Sequence, residues 1–352
     1  MSVAAPPLRV PASDLQQVAT AILVGAGVPR ADASQVAETL VHADLRGIHS
    51  HGIRLLGYYV NALAKGALNA AGNVRETRSG AGFAVYDGGH TLGQVAARIA
   101  MKRAIDFAKI RGVGTTVVHN AGHFGAAGYW ALMAAESGCF GYCTSTVPGA
   151  VMLAFGSREG ATGNTPVAWA LPSMDTAPMV LDMACGAAAL GKAGLARVAH
   201  VAVPAGLFAD GEGNLTTNAE KVKFVLPAAG PKGYGLSVVH DALAGNLSGA
   251  GATLEKTAGS PAEPIRGGQF FLALDISHVM PLDAFSRAMD AQLRAINELP
   301  PAVGFDRVTI PGQIEAERMA ERLARGIPFP PGVLEELDPL AGNLSLKLPW
   351  RH

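Results

Sequence analysis

Three short stretches of this 352-residue chain combine residues that move protons with residues that bind anions. The first is Arg46-Gly47-Ile48-His49-Ser50-His51-Gly52-Ile53-Arg54, followed by Tyr58 and Tyr59. Imidazole titrates near neutral pH, so a histidine here could take a proton and return it. Arg54 could grip a carboxylate through two parallel hydrogen bonds. The same residues would also serve as a plain helix start, with Ser50 as cap and both histidines in solvent. The second stretch is His119-Asn120-Ala121-Gly122-His123-Phe124-Gly125, between a predicted strand and a predicted helix. Such turns are where α/β sheets hold ligands. The third, Gly230-Pro231-Lys232-Gly233-Tyr234-Gly235, opens an apolar helix. Free N–H groups beside Lys232 would suit a pyrophosphate or a carboxylate. A fourth group runs from Asp182-Met183-Ala184 to Gly191-Lys192, where Lys192 is either an electrostatic partner in a buried site or an exposed lysine. An acid/base, a carboxylate clamp and an anion-binding helix end together fit hydride transfer between a 2-hydroxy or 2-oxo acid and a nicotinamide cofactor. The hydroxyl proton needs a base, the carboxylate needs a cation, and the cofactor needs an anion site.

The elements that must position these groups read as helices, then α/β, then helices. Leu15, Val18, Ala19, Ile22 and Leu23 recur at helical spacing, with Ser13 or Asp14 as cap and Gly25 as stop. A second helix is predicted from Ala33 to Arg46, capped by Asp32, and a third from Gly52 to Lys65. Strands are predicted at 83–86, 113–118, 140–145, 167–171, 179–181 and 270–276, with helices at 94–109, 126–137 and 232–247 between them. Helix returns after Leu282, most clearly from Gln313 to Arg325. This predicts a helical domain from residues 1–75 and 281–352 and an α/β domain from residues 76–280. Gly25-Ala26-Gly27 looks like the start of a dinucleotide fingerprint, but a helix precedes it where that motif needs a strand. A nicotinamide cofactor would have to bind without a Rossmann turn.

Composition narrows the class. Lys+Arg and Asp+Glu both number 28, so the chain lacks the basic footprint of a general nucleic-acid binder. Charged residues are only 16 %, against 49 % hydrophobic, which predicts a large core and a covered subunit interface. Cys139, Cys143 and Cys185 form no disulfide pattern and read as small core residues in a reducing compartment. The first residues lack the apolar run of a signal peptide, and no uncharged stretch could stay helical through lipid. A cytoplasmic enzyme that engages no membrane is the expectation.

Several motifs in order make the chain resemble the malate/L-lactate dehydrogenase family that lacks a Rossmann fold. That group includes ureidoglycolate and sulfolactate dehydrogenases and Δ1-piperideine-2-carboxylate reductase. The motifs are residues 46–52, Gly122-His123-Phe124-Gly125, Asp182-Met183-Ala184, residues 226–235 and Pro311-Gly312-Gln313. The first and the last two look most like the ureidoglycolate branch. The resemblance implies a non-Rossmann mixed-sheet α/β fold, a helical domain built from both chain ends, NAD or NADP as cofactor, and a homodimer. It implies Ser50 and His51 as a relay with His51 the proton donor, Lys192 as third member, and His123 as a rival proton acceptor. By the same resemblance His123, Phe124, Gly125, Asp182, Met183, Ala184, Lys232, Gly233, Gly312 and Gln313 hold the cofactor. Arg54, Asn164 and Thr165 would meet the substrate.

Three departures bear on substrate choice. Arg54 follows His51 by three residues where the ureidoglycolate branch has its arginine four after, a turn of roughly 100° on a helix. The family's Gly-Thr-Asn-Pro is here Gly163-Asn164-Thr165-Pro166, and its Asp-Met-Ala-Thr continues as Cys185-Gly186. Two other readings of the same residues are a metal hydrolase built on His49, His51, His119 and His123, and an inactive binding module on the same fold.

Overall fold

The computed structural model describes residues 8–146, 148–256, 264–329 and 332–351. After a short strand, β1 (Leu8–Val10), come three helices, α1 (Ala12–Gly25), α2 (Arg30–Leu45) and α3 (Leu55–Ala64). The first two start after Pro11 and Pro29, not at the expected Ser13/Asp14 and Asp32. Proline suits a helix start because it lacks the N–H that would go unpaired there. Asp14 and Asp32 instead sit in the first turns, where a carboxylate complements the helix dipole. The third helix begins three residues later than expected, because His49–His51 forms a separate 3₁₀ turn.

The α/β part follows: β2 (Arg75–Ser79), β3 (Phe83–Asp87), α4 (Gly93–Arg111), β4 (Val113–Ala121), α5 (Ala127–Glu136), β5 (Cys139–Thr146), β6 (Met152–Leu153), β7 (Gly160–Thr162), β8 (Pro166–Leu171), β9 (Met179–Ala184), α6 (Leu190–Val198), β10 (Phe208–Ala209), β11 (Phe224–Val225), α7 (Pro231–Asp241) and β12 (Gly267–Asp275). Seven strands form one mixed sheet in the order β2-β3-β4-β12-β5-β8-β9. Only β3 and β4 pair in parallel; the other neighbours are antiparallel. Ala-rich faces of α4 and α5 pack on it, around buried Trp130, Phe124 and Phe271. A smaller sheet, β10-β11-β6-β7, carries a separate apolar core around Phe208 and Cys185.

The chain ends with α8 (Leu282–Asn297), α9 (Gln313–Arg325), β13 (Ile327–Phe329) and α10 (Asp338–Gly342). β13 pairs with β1, and Ile327, Phe329, Leu334 and Trp350 share one core with α1–α3. The two ends of the chain therefore share one apolar core. α8 lies elsewhere: Asp290 accepts hydrogen bonds from the backbone N–H groups of Asp175 and Thr176, beside the large sheet. The three cysteines are buried and unpaired. Among the described residues no helix is long and apolar enough to cross a membrane.

Candidate active site

A cleft of about 1000 Å³ opens where the α2–α3 turn, the β4–α5 loop, β9, α6 and the start of α9 converge. That is the upper end of the usual range for small-molecule sites, about 300–1,000 Å³. Ser50, His51, His123, Asn164, Thr165, Asp182, Met183, Ala184, Lys192 and Gly312 all line it. Three of the four stretches read from the sequence thus meet in one place.

The His49–His51 turn is braced from behind by Asp44, whose carboxylate is fully buried. Arg322 donates to Nε2 of His49 (3.1 Å), so that nitrogen carries no proton. His49 Nδ1 therefore donates to Asp44 Oδ1 (2.7 Å), and the Ile53 amide donates to Oδ2 (2.7 Å). Burial pushes the Asp44 pKa up, and the bonds from His49 and Ile53 pull it back. A Cβ on Gly52 would lie 2.1 Å from this carboxylate, so only glycine lets the turn close. His49 is thus committed to structure, while His51 is left facing the cleft with Ser50 Oγ 2.9 Å from its Nδ1. Burial lowers the His51 pKa, which keeps the ring neutral and able to accept a proton.

The His51 ring stacks on His123, with centroids 5.4 Å apart. Behind His123 stands Tyr59, fully buried on α3, with its hydroxyl 3.0 Å from Nδ1. Gln94 donates to the same hydroxyl (2.8 Å). Gly125, at φ +82°, turns its N–H back onto His123 Nδ1 (3.3 Å). Burial first, and the neighbouring His51 second, push the His123 pKa down to about 3.

Two cations line the cleft, Arg46 and Lys192. Arg46, the last residue before the α2 stop, has no role that its spacing in the sequence marks out. It looked like the end of a helix, although it heads the same motif. Burial works against its charge, and Glu315 and Asp182 offset that. Asp182 accepts the Gly128 amide at the start of α5 (2.8 Å), and burial lifts its pKa to about 6. Lys192 makes no hydrogen bond to Ser50 or His51 among the described residues.

Other expected residues are placed differently. Arg54 does not line the cleft; its guanidinium makes a two-pronged pair with Glu336 (2.9 and 3.3 Å). The expected clamp is therefore engaged at the surface, as its shifted position on the helix foreshadowed. Asn164 spends its amide on the backbone, donating to Ala188 O and accepting from Gly186 N, both at 3.0 Å. A Cβ on Gly186 would lie 2.3 Å from Asn164 Oδ1, so the second and third departures form one coupled change. Thr165 turns its hydroxyl inward, 3.0 Å from Ser237 Oγ. Phe124 packs in the sheet core, and Gly125 acts through His123. Lys232 is exposed outside the cleft, and Gly233 is closed against the Ala228 and Cys185 carbonyls. Gln313 stays on its own helix end, accepting from Ile310 N (3.2 Å) and donating to Glu317 (3.0 Å). His119 lies on β4 beside Asp87, outside the cleft, so the four histidines of the hydrolase reading are not brought together.

The rest of the wall fits a nicotinamide. Ala126, Val180, Met183 and Ile314 give it apolar lining, and half-buried Asp182 stands among them.

This fold and cleft belong with nicotinamide-linked dehydrogenases that do without a Rossmann turn. The malate/L-lactate dehydrogenase family profile matches residues 10–338. Malate dehydrogenase of Pyrococcus horikoshii is 37 % identical over 97 % of this chain and 96 % of its own length. Its solved structure superposes with a TM-score of 0.88, covering 97 % of each chain at 34 % identity. L-sulfolactate dehydrogenase of Methanocaldococcus jannaschii is 34 % identical over 92 % of this chain and 93 % of its own. NAD(+)-dependent ureidoglycolate dehydrogenase of Escherichia coli is 32 % identical over 91 % and 92 %. The chain belongs to the malate/L-lactate dehydrogenase family.

Proposed function

We propose that this protein is an NAD(P)-dependent oxidoreductase that moves hydride between nicotinamide and C2 of a small 2-hydroxy or 2-oxo acid. The observation that carries the reading is the stacked His51–His123 pair, 5.4 Å apart in one cleft with buried Arg46. Nicotinamide, when bound, supplies or accepts the hydride. Asp182, Met183, Ala184 and Gly312, which line the cleft, would hold it. His51 takes the hydroxyl proton in oxidation and returns it in reduction, with Ser50 fixing its Nδ1. Arg46 and Lys192 offer the positive charge that a substrate carboxylate needs. Malate, lactate, sulfolactate and ureidoglycolate, named in the relatives, all carry that carboxylate beside an oxidisable C2 hydroxyl. The E. coli relative's name specifies NAD(+), which makes NAD the first cofactor to test.

The reading extends to a homodimer acting in the cytoplasm, with a helical unit at both chain ends and a central α/β unit. α7 supports the dimer because it is inside out. Ser237, His240 and Asp241 face inward, while Val239 is 55 % exposed and Leu236 and Val238 also face outward. An apolar face of this kind calls for a partner surface. Replacing Val239 with Asp should shift the dimer to monomer in light scattering; a wild-type monomer would reject this element.

The test of function is the nicotinamide absorbance of purified protein with NADH or NADPH and a panel of 2-oxo acids and cyclic imines. Turnover of one member is expected. Absence of both turnover and cofactor binding would overturn the proposal.

A further inference from the structure

The cleft holds two histidines where hydride transfer needs one acid/base, and the hydrogen bonds around His123 separate their roles. The Gly125 amide can only donate, so His123 Nδ1 accepts and carries no proton. Gln94 donates to the Tyr59 hydroxyl, which frees the tyrosine proton to point at the same Nδ1. Two donors converge on Nδ1, and the neutral ring must then carry its proton on Nε2. His123 lines the cleft and Nδ1 is held from behind, which leaves Nε2 as the nitrogen open to a ligand.

We propose that Tyr59 and Gln94 are positioning residues that lock His123 as the Nε2–H tautomer, making it a fixed hydrogen-bond donor to the C2 oxygen of the substrate, while His51 alone exchanges the proton. The proposal rests on the dehydrogenase reading above and assigns the division of labour within it. In reduction, C2 gains hydride, the C=O π pair passes to oxygen, and that oxygen takes the proton from His51 Nε2. In oxidation the same bonds form and break in reverse. His123 keeps its proton throughout and stabilises the negative charge that develops on oxygen. A base at this position would need a bare Nε2, which the Gly125 and Tyr59 donors oppose. With the Gln94 carboxamide turned over, tyrosine would have an acceptor instead, and only the longer Gly125 contact (3.3 Å) would still favour an unprotonated Nδ1.

Two measurements test this independently. The first is long-range ¹H–¹⁵N correlation on protein labelled at the histidine rings, with His123 assigned by its loss in His123→Gln. An Nε2-protonated, Nδ1-bare ring is expected at neutral pH, with the Nδ1–H tautomer gaining population in Tyr59→Phe, where only the longer Gly125 contact (3.3 Å) still opposes it. An Nδ1-protonated or doubly protonated His123 in the wild type would overturn the proposal, and so would a Tyr59→Phe spectrum identical to the wild type. This readout needs no turnover, so it stands even if the dehydrogenase reading fails. The second is kinetic. Glutamine can place an amide N–H near the position of Nε2 but cannot serve as a base, so His123→Gln should retain at least about tenfold more turnover than His123→Ala. Equal loss in the two variants would make His123 a base and reject the assignment.

Discussion

At the scale of single residues, Ser50, His51, His123 and Lys192 were legible as residues of one cleft and Arg46 was not. Ser50 and His51 stand out in the sequence because two imidazoles, a hydroxyl and a guanidinium fall within nine residues, and His123 because it lies on a strand-to-helix turn. Arg54 was the expected carboxylate clamp, whereas Arg54 pairs with Glu336 and the cleft holds Arg46. Spacing along a helix says which face a side chain occupies, but not which distant carboxylate waits there. Glu336 is 282 residues away in sequence, so no local pattern could reveal it. Arg54→Ala removes a pair between partly exposed groups, which costs about 0–1 kcal/mol and should leave KM for the acid within about twofold. Arg46→Lys keeps the charge but loses the planar fork, and should raise KM about tenfold or more. Steady-state kinetics with varied acid decides it; a tenfold rise in Arg54→Ala alone would return the clamp to Arg54.

At the scale of elements, the long helices and buried strands announced themselves through their apolar period. The strands β6, β7, β10 and β11 did not, because two or three residues are too few to show alternation. β2 was missed because Arg-Glu-Thr-Arg-Ser is exposed throughout and has no apolar face. The departures at Asn164 and Gly186 were visible as departures, but their linkage needed the fold, which brings the β7–β8 loop against the segment after β9. Asn164 holds the Gly186–Ala188 backbone from which α6 and Lys192 project. Overpacking of this kind costs about 1–3 kcal/mol, so Gly186→Ala should destabilise by that amount. The cost should shrink when Asn164 is also alanine, with a coupling of about 0.5–3 kcal/mol between the two sites. Urea unfolding of the single and double variants measures this. Additive losses would mean that the two positions are independent.

At the scale of the whole molecule, the meeting of the two chain ends in one core was legible, because both ends carry helical periods while the centre alternates. Its extent was not: α8 has a strong amphipathic period but packs against the α/β part. The same fold buries ionisable groups in a way that sets acid stability. His42 and His123 are pushed by burial to about 4 and 3, from 6.5, so between pH 6 and 4 the unfolded chain binds up to two protons that the folded chain refuses. Asp182, raised to about 6 from 3.8 by burial, binds one proton in the folded state over the same window. On these three groups the unfolded state binds about one proton more, so they contribute a fall in stability of about 1.4 kcal/mol per pH unit as pH drops from 6 to 4. Denaturant midpoints across that range check this, and a flat profile would contradict it. The central claim is that two distant motifs meet to build a nicotinamide-linked acid/base site with His51 as the group that moves the proton. The most direct test is His51→Ala, with cofactor binding followed by nicotinamide fluorescence and turnover by absorbance. Binding should be unchanged and turnover lowered about 10²–10⁴-fold if His51 moves the proton. Turnover equal to the wild type would contradict it.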